Sequence, residues 1–134
     1  MVCQHAVHVW QATLEKLHGA AELVEAKIAE LERLRQEAQK RLAASPGAEA
    51  EALTGALKQL DDRLVEARQS RAALQTKMRS AERMAALVAE AQALKPEMKR
   101  LSEAGDDGPR YQELRARALE IKAEFAQLEN DTAR

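Results

Sequence analysis

A chain of 134 residues fits one domain, which buries a core only by folding back on itself. Charged residues make up 32% and aromatics 2%, the composition of long helices or a coiled coil with a thin core. The 21 Lys and Arg nearly cancel the 22 Asp and Glu, which removes any global pull toward nucleic acid or an anionic membrane.

No apolar run approaches the roughly 20 residues that cross a bilayer, and the N-terminus lacks the charged-then-apolar layout of a signal peptide. Membrane insertion is not expected. The single cysteine, Cys3, has no partner for an internal disulfide, so nothing requires an oxidising compartment and a cytoplasmic location is the default expectation.

The first element is read from apolar residues at alternating steps of three and four: Val7, Trp10, Leu14, Leu17, Ala21, Val24, Ile28, Leu31, then Ala38 and Leu42. This seam predicts a helix over about 5–44, roughly 60 Å long at about 1.5 Å per residue. Arg35 interrupts it. The stretch Ser45-Pro46-Gly47 ends the pattern, since Pro46 suits the first position of a following helix with Ser45 as its N-cap.

The second element resumes the alternation at Leu53, Leu57, Leu60, Leu64, Ala67, Leu74, Met78, Ala81, Ala85 and Val88, with Arg71 in the seam. A tight turn between two long helices predicts an antiparallel hairpin. Around Ala81 to Met84 the stripe slips, and Met84, Leu87, Ala91, Leu94, Met98 and Leu101 turn the apolar face toward a different neighbour. Pro96 lies inside that stripe without a capping residue before it, so a continued helix with a kink is expected to about residue 104.

A second reversal is expected at Gly105-Asp106-Asp107-Gly108-Pro109, with a Gly at the C-cap, Asp107 capping the next helix and Pro109 opening it. The third helix, about 109–131, carries Tyr111, Leu114, Ala118, Ile121, Phe125 and Leu128 on one face. The expected fold class is all-α, one domain of antiparallel helical hairpins with three main helices, as an elongated rod or a three- to four-helix bundle.

Chemistry is sparse along this chain. Cys3, His5 and His8 are ligand types suited to zinc, and His5 and His8 share a helical face, but Cys3 points elsewhere on a regular helix. Fraying imidazoles are the plainer reading, so neither metal nor cofactor is expected. The few serines lie far in sequence from every histidine, no phosphate loop follows a strand, and the carboxylates alternate with Lys and Arg as on a solvated helix face. An enzyme is not expected.

Two charged features remain. Arg68, Arg71, Arg79 and Arg83 fall within a band of about 120° on a helical wheel, the footprint of an acidic groove or a nucleic-acid backbone. Hairpin pairing with Glu15, Glu22 and Glu25 is the structural alternative, and no aromatic lies between the arginines to stack a base. The Gly105–Gly108 tip, with Asp106 and Asp107, resembles in outline the channel-inserting hairpins of bacterial transcription factors of the Gre family. That resemblance implies acidic groups delivered to a polymerase metal. The long hairpin is also similar to the tRNA-binding arm of seryl-tRNA synthetases, although it shares no motif with them.

Seams this long and this rich in Ala bury little area within one chain. The expected function is therefore a non-enzymatic coiled-coil interaction module, an adaptor or assembly subunit, with a protein partner or homo-oligomer. Its expected contact seam is Val7, Trp10, Leu14, Leu17, Val24, Ile28, Leu31, Leu87, Leu94, Leu114, Ile121, Phe125 and Leu128. The alternative is a nucleic-acid- or RNA-polymerase-associated hairpin factor using the Arg68–Arg83 band or the Asp106/Asp107 tip.

Overall fold

The computed structural model describes residues 2–45 and 47–133, with side chains for 10–45 and 47–132. The fold is all-α: α1 spans Val2–Ala44, α2 Ala48–Glu103 and α3 Pro109–Ala133. No strand occurs among the described residues. Pro96 sits within α2, which runs through it as one helix. The ring removes one backbone donor, and an isolated loss of this kind interrupts a long helix without ending it.

Glycine conformation sets both reversals. Gly47 has φ 99°, a left-handed value that L side chains rarely adopt. Gly47 immediately precedes α2, and its carbonyl accepts from the Ala50 N–H at 3.0 Å. The expected cap at Ser45 is thus displaced by two residues, and Pro46 lies outside the described residues.

At the other reversal Gly105, with φ 71°, donates to the Ser102 carbonyl at 3.1 Å, while the Asp106 N–H donates to Leu101 at 2.9 Å. This pair of bonds is the Schellman arrangement, which satisfies the last carbonyls of α2. Asp107 does not take the expected capping position: Gly108 directly precedes α3, its carbonyl accepts from the Gln112 N–H at 3.1 Å, and the Asp106 carboxylate closes the turn by accepting from the Gly108 N–H at 3.0 Å. Pro109 opens α3, where a missing N–H costs nothing.

The chain divides into two compact units. The hairpin unit, Leu17–Thr76, contains the second part of α1 and the first part of α2. Ile28, Leu31, Leu64 and Ala67 form its buried core, with Val24 and Leu60 packed against them. Two helices alone bury one narrow seam, so Leu17, Leu42, Leu53, Leu57 and Leu74 stay half-buried. Arg35 and Arg71, the charged residues within the seam, reach its edge and form ion pairs across it with Asp61 and Glu25.

The second unit, here the trihelical unit, comprises Met1–Lys16 and Lys77–Arg134. Ala81, Met84, Leu87, Leu114 and Ile121 are its buried apolar residues. The slipped stripe of α2 thus faces α3, as the change of seam predicts. Trp10 of α1 meets Phe125 of α3 edge-on, with centroids 5.9 Å apart and planes at 84°. That geometry places the positive ring edge against a negative face.

Candidate functional site

The hairpin unit presents two different flanks. At about 100° of rotation per residue, Glu32, Gln36, Asp61 and Arg68 lie to one side of the buried seam and Leu34, Arg41, Gln59 and Arg63 to the other. The first flank is laced by its own charges: Arg35 Nε donates to Asp61 at 2.5 Å, and Arg68 and Arg71 reach Glu32 and Glu25 at 3.4 and 3.5 Å. No ion pair crosses between the helices on the second flank among the described residues. It holds a groove of about 450 Å³ floored by Leu34, Ala38, Leu53, Ala56 and Leu60.

Large apolar side chains also stand in solvent on this unit. Leu23 is 74% exposed and Val65 52%. An isolated exposed leucine is ordinary, but aliphatic side chains beside a half-buried seam extend the surface offered to another helix.

Along the trihelical unit the opposite holds, because α2 and α3 are joined by a ladder of three ion pairs. Arg83 Nε donates to Glu124 at 2.7 Å, Arg117 to Glu90 at 2.6 Å, and Arg110 to Glu97 at 2.8 Å. Each pairing is two-pronged, with a second guanidinium nitrogen on the other carboxylate oxygen. The rungs are seven residues apart on both helices, so every step of two turns up α2 meets the same step down α3. Hydrogen bonding from the arginines holds the Glu90, Glu97 and Glu124 carboxyls below the usual range and raises the arginine values.

On the other side of the α2–α3 seam lies an apolar hollow of about 250 Å³, bordered among the described residues by Leu87, Val88, Ala91, Ala118 and Phe125. Phe125 therefore touches both the hollow and Trp10.

The sequence-predicted site residues separate into groups. Of the expected contact seam, Ile28, Leu31, Leu87, Leu114 and Ile121 are buried inside the chain's own units. Trp10, Leu14, Leu17, Val24, Leu94, Phe125 and Leu128 are half-buried. The side chains of Val7, Cys3, His5 and His8 lie outside the described residues. No cluster of three His, Cys, Asp or Glu suited to a metal occurs among the residues described.

The arginine band is also divided. Arg71 finds Glu25 as the hairpin reading predicts, but Arg68 pairs with Glu32 and Arg83 with Glu124 of α3. Glu15 and Glu22 form no ion pair with the band among the described residues, and Arg79 has no ion pair there. Asp106 and Asp107 are both exposed at the reversal, with Asp106 engaged in holding its own turn.

The ladder residues Glu90, Glu97, Arg110, Arg117 and Glu124 escape a reading based on local charge density. Their signal is the seven-residue spacing of Arg83, Glu90 and Glu97 set against Arg110, Arg117 and Glu124. No protein-family model, curated protein or solved structure matches the chain. No helix among the described residues is long and apolar enough to cross a membrane.

Proposed function

We propose that the chain is a non-enzymatic helical interaction module, an adaptor or assembly subunit that works by packing against a helix of another polypeptide. One observation carries this reading: the hairpin unit closes over only one buried seam and leaves Leu23, Leu34 and Val65 exposed beside half-buried leucines. A further helix laid on one flank of such a pair removes that flank's aliphatic surface from water, at about 25 cal/mol per Å²; Leu34 and Val65 lie on opposite flanks. The alternative, a nucleic-acid- or polymerase-associated factor, has less support, since Arg68, Arg71 and Arg83 already hold carboxylates.

The test is a photoreactive residue placed at position 23, 34 or 65 of the full chain in living cells. A discrete cross-linked product from at least one position, lost when the other exposed aliphatics are changed to glutamine, is the expected result. Absence of any cross-link at all three positions overturns the reading. Salt-sensitive binding to RNA or DNA, lost in Arg79→Glu, moves the function to the alternative.

A further inference from the structure

We infer that the groove on the unbridged flank of the hairpin docks an amphipathic helix of a partner protein whose aliphatic stripe is bordered by carboxylates. This rests on the interaction-module reading and assigns it a face and a partner chemistry. The groove floor is wholly aliphatic: Leu34, Ala38, Leu53, Ala56 and Leu60. Ala38 on α1 and Ala56 on α2 keep the floor low, so an incoming helix approaches closely.

Its borders carry Arg41 and Glu37 from α1 and Arg63 and Gln59 from α2. Arg41 and Arg63 are exposed, and neither has an ion pair among the described residues. The carboxylates on α1 at and beside the groove make no ion pair with these arginines. Glu37 and Glu30 are held instead by Arg33, at 2.7 and 2.6 Å, and that hydrogen bond lowers the Glu30 carboxyl below its usual range. Two guanidinium groups thus flank an apolar trough with their donors unassigned, the arrangement that takes carboxylates in forked pairs.

The opposite flank supplies the internal comparison. There a groove of similar size, about 450 Å³, is bordered by Glu32, Arg35, Asp61 and Arg68, whose charges are spent on one another across the two helices. Charge complementarity therefore selects one flank and one sign of partner.

The experiment uses the full chain and two synthetic helical peptides of about three heptads. One carries Leu and Ala along one face with Glu at the flanking positions; the other has Lys in place of Glu. Fluorescence anisotropy is read at low and high salt, with circular dichroism confirming that each variant keeps its helix content. The Glu peptide is expected to bind at least about tenfold tighter than the Lys peptide, with the preference reduced by salt. The Arg41→Glu/Arg63→Glu variant is expected to reverse that preference, while Arg79→Glu leaves it unchanged.

Equal binding of the two peptides, or Glu-peptide binding that survives the double substitution, overturns the acidic-helix assignment and leaves the interaction reading standing. A doubling of mass by light scattering, abolished by the double substitution, also overturns it and gives the groove to a second copy. Failure of both peptides to bind overturns the assignment too, and the cross-linking result then decides the wider reading separately.

Discussion

In the hairpin unit two helices share four buried side chains and leave Leu23, Leu34 and Val65 exposed. In the trihelical unit a third helical segment is present, Ala81, Met84, Leu87, Leu114 and Ile121 are buried, Trp10 is set against Phe125, and Leu119 is exposed. Both units draw on the same Ala- and Leu-rich repeats and the same Arg–Glu pairs, so composition does not separate them. The number of helices meeting at the seam does. Two helices shield a single line of side chains, whereas an additional segment covers their flank and raises the hydrophobic contribution of each leucine.

Core truncation tests this contrast most directly. Leu87 is fully buried, and Leu87→Ala is expected to remove about 3 kcal/mol of stability. Leu64→Ala is expected to cost less, about 2 kcal/mol, because the two-helix seam relaxes or admits water more easily. Trp10 is the chain's sole tryptophan and reports on the trihelical unit. In urea unfolding, Leu87→Ala should shift the fluorescence midpoint more than Leu64→Ala does, while circular dichroism reports both units. Identical shifts in both signals for both variants would show that the units unfold as one and break the comparison.

Phe125→Leu sharpens it, retaining apolar volume while removing the edge-on ring contact with Trp10. A loss of about 1 kcal/mol is expected, with a red shift of Trp10 emission. A comparable loss is expected from Gly105→Ala, about 1 kcal/mol, because φ 71° crowds an added Cβ against its own backbone. Gly19→Ala is the control. It lies within α1 with open space around an added Cβ, so thermal melting should show a small gain where Gly105→Ala shows a loss.

The smallest effects belong to the ladder, whose members are partly exposed. Glu90→Arg should lower the thermal midpoint of the trihelical unit, and the added change Arg117→Glu should restore much of it. Acidification has a definite sign. Folded Glu90, Glu97 and Glu124 have values below the ordinary 4.5, so their stabilisation is present above that value and is lost as pH falls through the lowered folded values. A melting midpoint that stays flat from pH 6 down to about pH 3 would show that the rungs contribute nothing to folding.

Much of the architecture was legible from periodicity, because apolar steps of three and four follow directly from helix geometry. The change of stripe near Met84 foretold the exchange of neighbours, since a seam that rotates must find a new surface to cover. Pairings between helices were harder to read. The four arginines from Arg68 to Arg83 look like one band along a single helix, yet Arg68 and Arg71 belong to α1 partners and Arg83 to α3. The α1–α2 register also depended on where the turn spends its residues. With α2 starting at Ala48 after Gly47, Arg68 falls beside Glu32, several residues closer to the turn than a reversal at Pro46 places it. The unbridged groove left still less trace in sequence, because it depends on which arginines remain unmatched after folding.

The ladder between α2 and α3 bears on helix register. Its outer rung runs Arg83 to Glu124, while the next two run from Glu90 and Glu97 to Arg117 and Arg110, so the order of charge is inverted once along the row. Sliding α3 by one heptad in one direction opposes Glu90 to Glu124. Sliding it the other way opposes Arg83 to Arg117. The aliphatic stripes repeat at the same interval and do not distinguish the slips, so each like-charge contact adds a small bias toward the observed register. One inverted rung thus gives an otherwise repetitive surface a preferred alignment.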